Sequence, residues 1–124
     1  MFTKEEEHLI KDNRFTMQLI KSIAPKELTT GITGYYAHGV SLTFGYIELE
    51  KGSMVPMHHH IHEQITYIVS GQLDMNIGGV HYSLTAGMVH VIPSNTPHNA
   101  VAVVDTVAID AFSPVREDYK PALL

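Results

Sequence analysis

The feature that most constrains the fold of this chain is a series of short β-type segments, each bounded by turn residues, that begins after Gly31. Within the segments apolar and β-branched residues alternate with polar ones, as they do in strands buried on one face. The turns are rich in glycine, and Gly78-Gly79 between two alternating runs predicts a two-residue hairpin. Seven segments fit this description: residues 40–49, 58–69, 72–77, 80–84, 88–92, 99–104 and 106–112.

The series predicts an all-β domain, because seven or eight short antiparallel strands must pack together to bury their apolar faces. A chain of 124 residues without internal repeats is large enough for one core. We expect a jelly-roll β-sandwich or small β-barrel over residues 31–124. Residues 1–30 are predicted to be an amino-terminal extension that packs on the barrel or on a partner subunit, with one amphipathic stretch over residues 15–23.

Composition excludes several classes of function. The chain has no cysteine, which removes thiolate metal sites and cysteine nucleophiles and is compatible with a reducing cytoplasm. Its net charge is −5, and no lysine or arginine lies between Lys51 and Arg116, so nucleic-acid binding is not expected. The amino terminus lacks the apolar core of a signal peptide, and no apolar run approaches the ~20 residues that span a membrane. We therefore expect a cytoplasmic protein that binds neither membranes nor nucleic acids.

A cluster of histidines indicates a metal site. Neutral imidazole is the commonest protein ligand for transition metals, and several on one strand face can bind a single ion. The cluster is internal and is followed by an apolar β-branched run, which distinguishes it from a purification tag. If residues 58–69 form one strand, alternation places one set of side chains on a common face: His58, His60, His62 and Gln64, with His59, Ile61 and Glu63 on the other.

Two spaced motifs resemble those of the cupins. The first has Gly52, His58-x-His60, Gln64 and Gly71, and the second has Gly87, Pro93 and His98, each at the spacing of the family pattern. The resemblance implies a cupin jelly-roll barrel, which is a double-stranded β-helix. It also implies one divalent transition metal, either zinc, nickel, iron, manganese or cobalt, held by four residues: His58, His60, Gln64 and His98. Cupins commonly dimerise, so we expect a homodimer.

The motifs depart from the family pattern at two positions that matter. Gln64 stands where glutamate is common. If its amide binds the metal, the ion keeps its full charge and acts as a stronger Lewis acid. The alternative is that the amide hydrogen-bonds a metal-bound water and does not touch the ion. The missing carboxylate makes an oxygen-activating iron site less expected. Asn95 stands where the second motif has glycine, and asparagine can adopt the same left-handed backbone conformation. His62 is expected beside the metal rather than on it, because the ion needs open positions for a substrate.

The last predicted strand carries a charge that needs an explanation. Asp110 lies in an apolar run, where a carboxylate is costly unless it is paired or used in chemistry. It is therefore either the salt-bridge partner of Arg116 or an acid/base group in a cavity.

Three segments resemble the small pectin-degradation cupins called KdgF, which convert unsaturated uronates into linear ketouronates. They are His62-Glu63-Gln64-Ile65, Leu84-Thr85-Ala86-Gly87 and Asp110-Ala111-Phe112-Ser113-Pro114-x-Arg116-x-Asp118-Tyr119. The resemblance implies that Asp110 is the acid/base residue, that Phe112 shapes the sugar pocket and that Arg116 binds the carboxylate of an anionic sugar. The alternatives from other classes are a metal-dependent dioxygenase, a sugar isomerase and a non-enzymatic cupin that binds a metal or small molecule.

Overall fold

A computed structural model describes residues 1, 3–5 and 17–121 of the protein. Ten strands and two short 3-10 turns, Ile20–Ser22 and Glu117–Tyr119, make up its regular structure in residues 17–121. The strands are β1 (Lys26–Thr29), β2 (Ile32–His38), β3 (Thr43–Leu49), β4 (Met54–His58), β5 (Glu63–Ser70), β6 (Gln72–Ile77), β7 (Val80–Thr85), β8 (Val89–Ile92), β9 (His98–Ala102) and β10 (Thr106–Ser113).

The strands form two antiparallel sheets that enclose the core. The larger sheet has the order β1-β2-β3-β10-β5-β8 and the smaller has the order β4-β9-β6-β7. Chain connections pass repeatedly from one sheet to the other, which is the jelly-roll arrangement and confirms the predicted all-β fold. The core is built from inward residues of both sheets, among them Ile47, Ile68 and Ile92 from the larger and Leu73 and Met75 from the smaller.

Two predicted turns are confirmed. Ile77 and Val80 are paired across the β6–β7 hairpin, and both intervening glycines have positive φ, as a tight hairpin with the right-handed twist of its strands requires. Asn95 has a φ of 59°, so it adopts the left-handed conformation expected where the cupin motif has glycine. This turn lies immediately before β9, the strand that begins at His98.

The predicted strands differ from the structure in three main respects. Strands β1 and β2 were missed, because residues 26–38 combine glycine and polar residues with only short apolar runs. The strand predicted over residues 40–49 begins at Thr43, since residues 39–42 form the turn from β2. The strand predicted over residues 58–69 is two strands in different sheets, because residues 59–62 form the crossing between β4 and β5.

The described part of the amino-terminal segment contacts the larger sheet. Strand β1 pairs with β2, and the Lys21 ammonium in the first 3-10 turn lies 3.0 Å from the Glu48 carboxylate on β3. Residues 6–16, which include part of the predicted amphipathic stretch, are outside the described residues. No helix in the described residues is long and apolar enough to cross a membrane.

Candidate metal centre and cavity

Three histidines converge at the open end of the barrel. His58 ends β4 and His98 begins β9, and the two are direct partners across that strand pair. His60 reaches the same place from the crossing between the sheets. One ring nitrogen from each of the three lies within 4.8 Å of the others, as donor atoms around a single ion do. The convergence does not depend on the continuous strand that the sequence predicted.

Backbone carbonyls orient the three rings. The Nδ1 atoms of His58, His60 and His98 lie 2.8, 3.0 and 2.8 Å from the carbonyl oxygens of Pro56, His62 and Thr96. Each Nδ1–H therefore donates to a carbonyl, which leaves each Nε2 with a lone pair. The Nε2 of His98 is buried without a hydrogen-bond partner among the described residues, as expected of a nitrogen that binds a metal.

Gln64 completes the candidate donor set from the inner face of β5. Its Oε1 lies 3.1 Å from the Nε2 of His60, and its Nε2 donates to the Thr66 hydroxyl at 3.0 Å. Two atoms with lone pairs thus face each other, which is stable when a cation lies between them. Three imidazole nitrogens and one amide oxygen suit a divalent transition metal, so the residues present fit the ion that the cupin motifs imply.

The neighbouring residues of the first motif lie outside this donor set. His62 packs edge-on against His60, at 5.3 Å between ring centroids, and against Phe112 at 6.4 Å. It is not in the converging group, in keeping with the place expected for it beside the ion. His59 and Glu63 are exposed.

Asp110 is bound by Thr66 and not by Arg116. The Thr66 hydroxyl donates to Asp110 Oδ1 at 2.7 Å, and it accepts from the amide of Gln64. One buried hydroxyl thereby connects Asp110 to the candidate metal ligand. Burial raises the pKa of the Asp110 carboxyl, while the hydrogen bonds from Thr66 and Gln64 oppose that rise. A carboxyl whose pKa is moved upward toward neutrality is suited to giving and taking protons.

Of the two alternatives for Asp110, the salt bridge with Arg116 is not formed. Arg116 instead makes a bidentate pair with Asp118, from Nε to Oδ1 at 3.0 Å and from Nη2 to Oδ2 at 2.8 Å. The 3-10 turn after Arg116 brings Asp118 back to it, which spacing along an extended chain does not reveal. This pair lowers the pKa of Asp118.

Aromatic rings hold the buried guanidinium of Arg116 in place. Its central carbon lies 3.8 Å from the ring centroid of Tyr119 and 4.7 Å from that of Phe112. The Phe112 ring also contacts His60 edge-on, at 5.8 Å between centroids. Phe112 therefore lies between the candidate metal centre and the guanidinium, where it shapes the space between them.

The candidate ligands His58, Gln64 and His98 line one cavity, open to solvent, together with Asp110, Phe112 and Arg116. Thr66 and Tyr36 are among the cavity residues that were not predicted from the sequence. Thr66 had a usable signal, because strand alternation places it on the same face as Gln64. Tyr36 had none, because β2 itself was not predicted.

The histidine pKa values predict how the stability of the metal-free protein depends on pH. Burial, with the nearby charge of Arg116, lowers the pKa of His60 to about 4, and burial also lowers those of His62 and His98. The unfolded chain takes up these protons near pH 6.5 and the folded protein does not. The contribution of these histidines to the free energy of unfolding is therefore fully present above pH 6.5, and it is lost as the pH falls from 6.5 to about 4.

We expect the Tm of the metal-free protein to fall by several degrees between pH 7 and pH 4.5, which calorimetry can measure. The raised pKa of Asp110 acts in the opposite direction, since its protonated form is the less costly one to bury. His60→Gln should flatten the dependence, and Asp110→Asn should steepen it. A Tm that rises on acidification, or the same slope in all three proteins, would contradict this account.

Comparison with known proteins agrees with the fold and the motifs. The Cupin_2 family of cupin domains matches residues 45–110, which is more than half of the chain. The chain therefore belongs to the cupin family.

Its relatives include proteins of pectin degradation. The pectin degradation protein KdgF of Dickeya dadantii (strain 3937) is 33% identical over 75 residues, which are 59% of this chain and 68% of that protein. The structure of KdgF from Halomonas sp. is similar with a TM-score of 0.78 and 29% identity, covering 85% of this chain and 98% of that one. An RmlC-like cupin from Shewanella frigidimarina NCIMB 400 has a TM-score of 0.78 and 30% identity, covering 83% of this chain and 94% of that one.

Proposed function

We propose that this cupin is a metal-dependent enzyme that converts 4,5-unsaturated uronates into linear ketouronates, as a KdgF-like protein of pectin degradation. The main observation behind the proposal is the set of side chains that line the cavity. Neutral candidate metal ligands, a buried carboxyl and a guanidinium line the same space, and a small anionic sugar needs all three. The likeness to KdgF supplies the substrate class.

The metal is one divalent ion, either zinc, nickel, iron, manganese or cobalt, with His58, His60, Gln64 and His98 as its ligands. When bound, it supplies Lewis-acid polarisation of a substrate oxygen or a water. Four neutral ligands leave its charge undiminished, which favours this chemistry over oxygen activation.

The reaction is balanced without an oxidant or reductant. Carbon C4 gains a proton and C5 gains the hydroxyl of a water. The bond from C5 to the ring oxygen then breaks as the new hydroxyl loses its proton and becomes a ketone, and the ring oxygen takes a proton. C1 is left as an aldehyde hydrate that releases one water, so substrate and product have the same formula.

Asp110 is the acid/base residue of this sequence. Burial raises its pKa, which favours the protonated form that delivers a proton to C4, and the resulting carboxylate can take a proton back. The hydrogen bond from Thr66 holds the carboxyl in one orientation beside the metal ligands. Phe112 excludes water from the adjoining wall of the cavity.

Arg116 binds the carboxylate of the sugar. Asp118 occupies the Nε and Nη2 edge, so the Nη1 end is the part presented to an anion. We expect Arg116→Lys to raise KM about tenfold or more with a smaller effect on kcat, since lysine loses the planar donors and the stacking on two rings. Steady-state kinetics with the uronate and with its methyl ester separate the two effects. If the lysine variant loses as much on the neutral ester as on the acid, Arg116 does not bind the carboxylate.

The reaction is tested by nuclear magnetic resonance in D₂O. With metal-loaded protein, we expect early loss of the vinyl signal of the C4 proton and a ketouronate carrying one deuterium on a single face of C4. The uncatalysed reaction would label both faces. Retention of the vinyl signal, or label on both faces at the rate seen without protein, would sink the proposal.

The protein is a cytoplasmic homodimer in this account, and a chain without cysteine is compatible with that compartment. The outer face of the larger sheet supports the dimer. Cross-strand pairing aligns Phe44, Ala111, Ile65 and Val91 in one row and Tyr46, Ile109, Tyr67 and Val89 in the next. Five of these eight side chains are large and exposed, and none is charged, so the face suits a second copy of itself.

A charge placed on this face is expected to prevent dimerisation. Tyr67→Glu should convert a dimer into a monomer in light scattering after size-exclusion chromatography, because a buried unpaired carboxylate would oppose association. Val80→Glu, at an exposed position of the smaller sheet, is the matched control. A wild-type monomer at micromolar concentration, or a Tyr67→Glu dimer, would contradict the use of this face.

A further inference from the structure

The hydroxyl of Tyr36 is a buried polar group that the proposed chemistry does not use. Tyr36 is 6% exposed and lines the cavity, and its Oη has no hydrogen-bond partner among the described residues. A buried hydroxyl without a partner lowers the stability of a folded protein. Phenylalanine would fill the same volume without that cost, so the oxygen needs a reason other than packing.

The sheet around Tyr36 is shaped to receive its ring. Gly45 is its partner on β3, and Gly34 precedes it by two residues on the same face of β2. A Cβ atom at Gly34 would lie 2.5 Å from the Tyr36 ring, and one at Gly45 would lie 2.7 Å from it. Glycine weakens a strand and marks positions of close approach. These two glycines therefore fix the ring against the cavity wall.

The surroundings of the hydroxyl make it a hydrogen-bond donor. Burial, and then the proximity of Tyr119 and Asp110, raises the pKa of Tyr36, so its proton stays in place at neutral pH. The cavity is also lined by Leu28, Ile47 and Val55, which have no polar side-chain atoms. A donor beside these apolar side chains gives direction to a ligand that is otherwise held by shape.

We infer that Tyr36 is a specificity-determining residue, and that its hydroxyl donates a hydrogen bond to a hydroxyl oxygen of the sugar ring. The inference rests on the proposed function, because it needs a sugar acid in this cavity. The sugar is then held at three places: its carboxylate at Arg116, its reacting atoms between the metal centre and Asp110, and a ring hydroxyl at Tyr36.

The test compares Tyr36→Phe with wild type in two measurements made on the same preparations, steady-state kinetics with the unsaturated galacturonate and the Tm of the metal-free protein. We expect KM to rise about tenfold, with a smaller change in kcat, while Tm stays the same or rises. Tyr35→Phe is the matched control. Its ring lies on the outer face under Lys21, so neither KM nor Tm should respond in the same way.

The outcomes separate this inference from the proposed function. If wild type turns over the uronate and Tyr36→Phe keeps the wild-type KM, the role of Tyr36 is overturned while the function stands. A Tm lower by more than about 4 °C with an unchanged KM would show that the hydroxyl is structural. If wild type does not accelerate the reaction with any metal, the proposed function fails, and the inference falls with it.

Discussion

Asp110→Asn is expected to lower kcat for the unsaturated uronate by about 10²- to 10⁴-fold, with KM changed little. Asparagine has the shape of aspartate and can still accept the hydrogen bond from Thr66, but it cannot deliver or take up a proton. Because the change also removes a carboxyl that is costly to bury, the Tm should be unchanged or higher. The measurement is steady-state kinetics beside a thermal melt.

The matched control for this variant is Asp74→Asn. Asp74 lies on β6 of the other sheet and is bonded to Ser83 and Gln72 outside the cavity, so the same chemical change there should leave kcat intact. Wild-type turnover in Asp110→Asn would remove Asp110 from the mechanism. A large fall in Tm would assign it a structural role instead.

His98→Ala is expected to weaken metal binding by about 100-fold or more and to abolish turnover. His98 is the most buried of the three converging histidines, and its Nε2 has no other partner in the described part of the chain. Removing it deletes a ligand and costs the metal-free protein no hydrogen bond at that atom. The measurement is metal content and affinity by competition with a chelator, with circular dichroism to verify the fold.

Exposed His81 supplies the control for the second variant. It lies on β7, 3.8 Å from Asp74, and takes no part in the converging group. His81→Ala should bind metal as wild type does. If His98→Ala retained one tightly bound ion per chain, the assignment of the metal centre to these histidines would be wrong.

Local spacing predicted the parts of the site that depend on strand ends and turns. His58 and His98 each stand beside a break in the strand pattern, and two antiparallel strands that end at the same edge bring such residues together. The single strand predicted over residues 58–69 was wrong, because residues 59–62 form a crossing. His58 and His60 still lie together as predicted, since the crossing is short and stays at the same open end.

Pairing partners were not predictable in the same way. Asp110 and Arg116 are the obvious pair by charge. The 3-10 turn after Arg116 instead places Asp118 against its guanidinium, and Asp110 accepts a hydrogen bond from Thr66. Such choices depend on backbone direction over a few residues, which composition does not encode. Tyr36 was out of reach for a related reason, because its position depends on glycines in two strands, one of which had not been predicted.

The most direct test of the account is the ultraviolet absorbance of a 4,5-unsaturated galacturonate monosaccharide with protein stripped of metal and then reloaded with zinc, nickel, manganese or iron(II). The account predicts that at least one metal-loaded form removes the chromophore faster than the metal-free protein, and faster than the same metal alone. If every reloaded form matches the rate without protein, this cupin does not act on unsaturated uronates.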